Sequence, residues 1–122
     1  MDALATARLN GIGRAVLGAS MVVAPGSVAR LWLGSPGGIE SKILGRTHGA
    51  RDLALGGGLL WALERDEPVH PWVTAAAISD VVDAGVTLAF WNGLSRAGRW
   101  VVLGMAAGSA IQMGTLAART AR

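Results

Sequence analysis

Residues 100–118 read WVVLGMAAGSAIQMGTLAA and contain no ionisable side chain. A helix rises about 1.5 Å per residue, so a stretch of this length crosses the roughly 30 Å hydrocarbon core of a bilayer. Three other apolar stretches of similar length precede it, at about Ala3–Val23, Ile43–Leu63 and Pro71–Asn92. The sequence therefore predicts an all-α fold, a four-transmembrane-helix bundle in which residues 1–122 form a single integral membrane domain.

The composition supports a protein whose partner is the lipid bilayer. Of 122 residues, 52% are hydrophobic and 16% are charged, against about a quarter in an ordinary soluble domain. The net charge is only +3, and the basic residues fall mainly at segment ends, where they would face phospholipid head groups. No basic stripe with interleaved aromatic residues is present, so we predict no nucleic-acid partner. Cysteine is absent, which excludes disulfides and thiolate metal sites.

The five tryptophans give an independent test of these boundaries. Trp61 closes the second stretch, Trp72 and Trp91 flank the third, Trp100 opens the fourth, and Trp32 lies in the first connection. Indole prefers the membrane interface, where its ring is buried and its N–H stays hydrated. A soluble helical bundle is the alternative, but it has no reason to place every tryptophan at the end of a segment.

The longest connection, residues 24–42, contains its own helical signal. Pro25 is followed by Val28-Ala29-Arg30-Leu31-Trp32-Leu33, and a proline near a helix start before an amphipathic pattern predicts a short interfacial helix between spans 1 and 2. A cleaved signal peptide is the alternative for the first stretch. It is a poor one, because its charged start is Asp2 and because Arg8 and Arg14 interrupt the apolar run that such a peptide needs.

Five charged residues lie in the middle of the apolar stretches: Arg14, Arg51, Asp52, Asp80 and Asp83. If consecutive spans cross the bilayer in opposite directions, all five residues lie about 14–18 Å from the N-terminal side at a rise of about 1.5 Å per residue. A charge at this depth costs several kcal/mol unless it is paired or hydrated. We therefore predict that these side chains meet in a shared polar interior.

Residue spacing on each predicted helix agrees with a common inward face. His48, Arg51 and Asp52 are spaced i, i+3, i+4, and the same spacings relate Asn10 to Arg14, Asp80 to Asp83 and Ser109 to Gln112. The candidate intramembrane polar cluster consists of seven residues from four helices: Arg14, His48, Arg51, Asp52, Asp80, Asp83 and Gln112.

Pairing within this cluster leaves one carboxylate over. Arg51 can pair with Asp80 or Asp83, and Arg14 can pair with Asp52 or with the remaining aspartate. The spare carboxylate could be protonated, hydrogen-bonded to Gln112, or served by His48.

Two roles for the cluster follow from its chemistry. Paired charges can lock four helices into one arrangement, whereas buried ionisable groups in membranes also form binding sites and proton relays. No nucleophile, metal-ligand triad or cofactor motif accompanies the carboxylates, so we predict no enzyme, no cofactor and no metal site. The sequence favours a structural or partner-binding membrane subunit, bound to another membrane protein; the alternative is a small-solute or proton-coupled carrier.

Glycines at GxxxG spacing occur on two predicted helices. Gly45 and Gly49 form one pair, and Gly104 and Gly108 form the other. Small residues at this spacing let membrane helices approach closely, either within one subunit or between copies. We predict a homo-oligomer contact through Gly104 and Gly108, with packing inside the subunit as the alternative.

Several of these motifs occur together in a known pattern: Gly13-Arg14 with Pro25, Leu31-Trp32-Leu33-Gly34, Gly45-Arg46, Gly49-Ala50-Arg51-Asp52-Leu53-Ala54-Leu55-Gly56, Ser79-Asp80 and Asp83-Ala84. The chain thereby resembles the DUF4267 family of small actinobacterial membrane proteins and, more distantly, the DoxX-like four-helix proteins. The resemblance covers most of the chain, and its most specific element is G-x-R-D-x-x-L-G followed by D-x-x-D. It implies a multi-pass protein of the cell (inner/plasma) membrane with four spans.

Overall fold

A computed structural model describes residues 2–121. Within this range the chain forms five α-helices and no strand: α1 Ala3–Val23, α2 Pro25–Leu33, α3 Ile39–Glu64, α4 His70–Ala89 and α5 Arg96–Thr120, with a 3-10 turn at Trp91–Gly93 between the last two. The all-α prediction is confirmed, and so is a short helix between the first two long ones.

The predicted segment ends and the observed helix ends differ by a few residues. The first stretch matches α1, but α3 begins at Ile39 rather than Ile43 and α4 ends at Ala89 rather than Asn92. Helix α5, which corresponds to the fourth apolar stretch, begins at Arg96 because the Ser95 side chain accepts a hydrogen bond from the backbone N–H of Gly98. That cap adds a polar first turn that apolar character alone does not reveal.

The long helices pack as two pairs, α1 with α3 and α4 with α5. Glycines bring the backbones of the first pair together. A Cβ atom added to Gly49 would lie 2.6 Å from the carbonyl oxygen of Gly18, and one added to Gly56 would lie 2.6 Å from that of Gly11. Because these residues repeat every seven positions on both helices, α1 and α3 stay in close contact over two turns.

The two pairs meet in layers. At the end where α1 begins, an apolar core of small and medium side chains joins them: Ala7, Leu59, Val73, Ala76, Met113 and Leu116. In the middle the buried side chains are charged, with Arg14, Asp52 and Asp80 only 8%, 4% and 5% exposed. Large apolar side chains cover the outside instead, among them Val16, Ile78, Val81, Val86 and Ile111. Buried charges at the centre together with large aliphatic side chains on the outside are an uncommon combination in soluble proteins, where charged residues are seldom fully buried.

Two helices, α4 and α5, are each long and apolar enough to cross a membrane. The first two helices meet that criterion only as a pair, and the chain bends by 105° between them, so three candidate spans result if the pair counts as one broken span or re-entrant loop. Within the described residues α3 does not meet it. This helix includes Glu40, Lys42, Arg46, Arg51 and Asp52, which lower its hydropathy.

Helix α2 is held against the start of α5 by Ser95. The hydroxyl of Ser95 donates to the carbonyl oxygen of Leu31 at 2.7 Å, and its backbone N–H donates to that of Trp32 at 3.0 Å. Two carbonyls at the end of α2, which lack partners within that helix, are thereby satisfied. Ser95 is therefore both the cap of α5 and the anchor of α2.

We expect Ser95→Ala to loosen α2 more than any other part of the chain. The variant loses the N-cap of α5 and the hydroxyl bond to α2, a combined cost of about 1–2 kcal/mol. Hydrogen–deuterium exchange should become faster across residues 25–33. Ser35→Ala is the matched control, since Ser35 is exposed in the adjacent connection; equal exchange in the two variants would contradict the anchoring role.

Candidate functional site

Arg14 stands at the centre of the polar layer and joins α1 to α3 and α4 through ion pairs. Its Nη1 donates to Oδ1 of Asp52 on α3 at 3.1 Å. Its Nη2 donates to both carboxylate oxygens of Asp80 on α4, at 2.7 and 2.6 Å. Hydrogen bonds between charged partners at these distances are among the strongest in proteins. One guanidinium on α1 thus links the two helix pairs.

Arg51 makes a second link of the same kind. Its Nη1 and Nη2 donate to the two oxygens of Asp83 at 3.1 and 2.7 Å, a fork-to-fork pair. Its Nε and Nη2 also reach Oδ1 of Asp52, at 3.2 and 3.0 Å. Asp52 therefore accepts hydrogen bonds from both arginines. The sequence-based pairings offer Asp52 to Arg14 alone. The carboxylate that simple pairing left over acts as the bridge of the network.

His48 lies at the open side of this bridge. Its Nε2 is 3.3 Å from Oδ2 of Asp83, 3.9 Å from Oδ2 of Asp52 and 2.9 Å from Nη2 of Arg51. The ring also meets the indole of Trp32 edge to face, with centroids 6.1 Å apart. The same nitrogen can accept from the guanidinium or donate to the carboxylate, so its contacts depend on the protonation of the ring.

The fifth helix completes the layer through Ser109 rather than Gln112. The Ser109 hydroxyl donates to Oδ2 of Asp80 at 2.6 Å and accepts from Nη2 of Arg14 at 3.2 Å and from Nδ2 of Asn10 at 2.9 Å. Gln112 accepts from Asn10 at 3.3 Å and, within the described residues, makes no hydrogen bond to a carboxylate. The possibility that Gln112 serves the spare carboxylate is thus not realised, and Gln112 bonds to Asn10 instead.

Asn10 and Ser109 therefore touch the network although they stand outside the predicted set of seven. The sequence contains a signal for both, since each shares a helix face with a member of that set. Six of the seven residues form one connected network, with Gln112 attached to it through Asn10: Arg14, His48, Arg51, Asp52, Asp80 and Asp83.

The formal charges of this network do not cancel. Three carboxylates face two guanidinium groups, which leaves one negative charge when His48 is neutral and none when it is protonated. The first helix pair supplies both arginines and the second supplies Asp80 and Asp83. Each pair therefore buries charge that the other neutralises, and separating them would leave ions unpaired in a low-dielectric interior.

A cavity of about 590 Å³ lies on the α2 side of the charged layer. Apolar side chains from three helices form its walls, and charged residues of the network form its floor. The wall residues are Leu17 and Met21 of α1, Val28 and Leu31 of α2, and Val101, Val102 and Met105 of α5. Trp32 of α2 also lines this space. The cavity has the size and composition of an ordinary small-molecule site.

The two GxxxG pairs lie in different environments. Gly45 and Gly49 pack inside the subunit, against Pro25 and against the α1 backbone. Gly104 and Gly108 line the cavity, and a Cβ atom added to either would meet nothing within 4 Å. Neither glycine is needed for packing within the subunit, and the predicted homo-oligomer contact stays a prediction.

The carboxylates of this layer are engaged by guanidinium groups rather than grouped as metal ligands. Across residues 2–121, no cluster of three or more histidine, aspartate or glutamate side chains could hold a metal ion. The chemistry that the geometry allows is ion pairing, proton exchange between His48 and Asp83, and recognition of a charged group from the cavity. No family model, curated protein or solved structure matches the chain, so the resemblance to the DUF4267 family stays a prediction.

Proposed function

We propose that this chain is a multi-pass protein of the cell membrane, a structural or partner-binding subunit whose four long helices all cross the bilayer. The observation that supports the proposal is the combination of a buried charged layer with an aliphatic exterior. Charges are buried at Arg14, Asp52 and Asp80, while large aliphatic side chains cover the outside. In lipid this distribution satisfies both surfaces, because the ions pair with each other and the aliphatic groups face acyl chains.

The proposal needs α3 as one of its four spans, although the hydropathy of α3 alone is too low for a candidate span. Its central charges, Arg51 and Asp52, are directed at ion partners on α1 and α4 rather than at the exterior. Its central glycines, Gly49 and Gly56, pack against α1. Membrane helices that carry central charges insert with partners that neutralise them. The proposed span therefore depends on its neighbours, which a hydropathy test of one helix does not include.

Cysteine accessibility tests this topology, since the chain has no native cysteine. Single cysteines replace Ser35, Glu67 and Asn92, which are all exposed positions between helices. A membrane-impermeant maleimide is applied to intact cells and to inverted vesicles. We expect Cys at 35 and 92 to react from one side and Cys at 67 from the other. Reaction of 35 and 67 from the same side would contradict a spanning α3.

A second candidate function, a small-solute carrier, is favoured by the cavity beside the uncancelled charge. A purely structural layer has no need of an open space of about 590 Å³ next to its ion pairs. Purified protein in sealed vesicles distinguishes the candidates. Solute or proton flux that exceeds that of protein-free vesicles would favour the carrier, and its absence would favour the structural subunit.

A further inference from the structure

More carboxylates than guanidinium groups line the cavity. Asp52, Asp80 and Asp83 all line the cavity, whereas Arg14 is the one arginine among its lining residues. Arg51 binds Asp52 and Asp83 without lining the cavity. A group that enters this space therefore meets three carboxylates, one guanidinium and the ring of His48. This balance of charge selects a cation over an anion.

One oxygen on this floor has unused hydrogen-bonding capacity. Asp52 is 4% exposed, and all of its hydrogen bonds in the described chain go to Oδ1. Its Oδ2 accepts none, and His48 Nε2 stands 3.9 Å away, beyond hydrogen-bond distance. Asp52 is also one of the residues that line the cavity. A buried carboxylate oxygen left open beside a cavity is a receptor for an N–H donor.

The apolar walls of the cavity indicate that a bound cation carries an apolar body. Leu17, Met21, Val28, Leu31 and Met105 surround the space above the charged floor. A small hydrated inorganic cation would leave these aliphatic surfaces uncovered, whereas an apolar body would fill them. Methionine at two of these positions adapts to different shapes.

We propose that this cavity binds a hydrophobic ammonium, with the N–H groups on Asp52 Oδ2 and the apolar body between α1, α2 and α5. The bound cation cancels the one negative charge of the network. The inference rests on the placement of the bundle in a membrane, and it names the class of solute for the carrier candidate.

Binding is measured by calorimetry on the whole protein in nanodiscs of zwitterionic lipid, with empty nanodiscs subtracted. The probes are 4-phenylbutylammonium, the neutral 4-phenylbutanol and the anionic 4-phenylbutanoate, which share one apolar body. We expect the ammonium to bind about ten- to a hundredfold more tightly than the alcohol, the range expected for one charged hydrogen bond. We expect no binding of the anion. Equal affinity for ammonium and alcohol, or no binding of the ammonium, would overturn the proposal.

Two variants locate the site. Asp52→Asn removes the uncancelled charge and should abolish the preference for ammonium over alcohol. Because Asp52 also bridges the arginines, Gly104→Leu is the second variant; it fills the cavity from a position with open space and leaves the network intact. Gly114→Leu is its control, on the same helix and outside the cavity lining. Gly104→Leu should abolish binding and Gly114→Leu should not.

The outcomes separate this inference from the proposed topology. If cysteine accessibility gives four spans and the ammonium does not bind, the ligand is wrong and the topology stands. If the wild type is a dimer by light scattering and Gly104→Leu is a monomer with unchanged ammonium affinity, a second copy occupies the glycine face and the ligand site is refuted. Retained binding in Gly104→Leu together with lost binding in Gly114→Leu would also refute it.

Discussion

Arg14→Gln is expected to destabilise the protein by about 3–5 kcal/mol, the cost of breaking a buried ion pair by removing one partner. The variant leaves Asp80 without its guanidinium and leaves Asp52 with Arg51 alone. Both carboxylates are at least nine-tenths buried, so losing the guanidinium leaves them with a large desolvation cost. Unfolding in mixed micelles, followed by tryptophan fluorescence, measures the change.

Arg8→Gln is the matched control for this experiment. Arg8 lies on the same helix, and its pair with Glu64 is 3.9 Å long with side chains 49% and 68% exposed. Exposed pairs of this kind contribute about 0–1 kcal/mol. Similar losses for Arg14→Gln and Arg8→Gln would show that the central ion pairs do not hold the bundle together.

The second large effect is expected at the glycines that join α1 and α3. Gly49→Ala places a methyl group 2.6 Å from the backbone oxygen of Gly18, so one helix must move away from the other. Overpacking of this kind costs about 1–3 kcal/mol. The shift also pulls Asp52 away from Arg14, because both side chains lie one turn from the glycine contact.

Gly57→Ala is the control for this substitution on the same helix. A Cβ atom at Gly57 meets nothing within 4 Å, and alanine is favoured over glycine in helices by about 1 kcal/mol. We expect Gly57→Ala to be neutral or stabilising in the same unfolding measurement. Equal losses in the two variants would contradict the close contact between α1 and α3.

The helices and the polar layer follow from local features of the sequence. Periodicity and length predict long helices, and the cost of a buried charge predicts that Arg14, Asp52 and Asp80 turn toward one another. The bridging role of Asp52 does not follow from these rules. Which carboxylate lies between the arginines depends on the axial register of α1 against α3, and residue spacing within one helix says nothing about register between two.

The contact between α1 and α3 depends on a seven-residue glycine repeat that a search for GxxxG spacing does not find. Gly11 and Gly18 are seven residues apart, as are Gly49 and Gly56, and that repeat sets both the register and the short distance between the helices. The cavity could not be predicted, because its apolar walls come from α1, α2 and α5, which are far apart in the sequence. Its position depends on the anchoring of α2 by Ser95, a contact between residues far apart in the chain.

The central claim is that ionised side chains from different helices meet inside the bilayer. Solid-state NMR on protein in lipid bilayers, with ¹⁵N-labelled arginine and ¹³C-labelled aspartate, measures the dipolar coupling between the Arg14 guanidinium and the Asp80 carboxylate. The N···O distance between the two groups is 2.6 Å. The structure therefore predicts a ¹⁵N–¹³C dipolar coupling of the strength expected for a directly hydrogen-bonded guanidinium and carboxylate. An Arg14 guanidinium without coupling to any aspartate carboxylate would contradict the account.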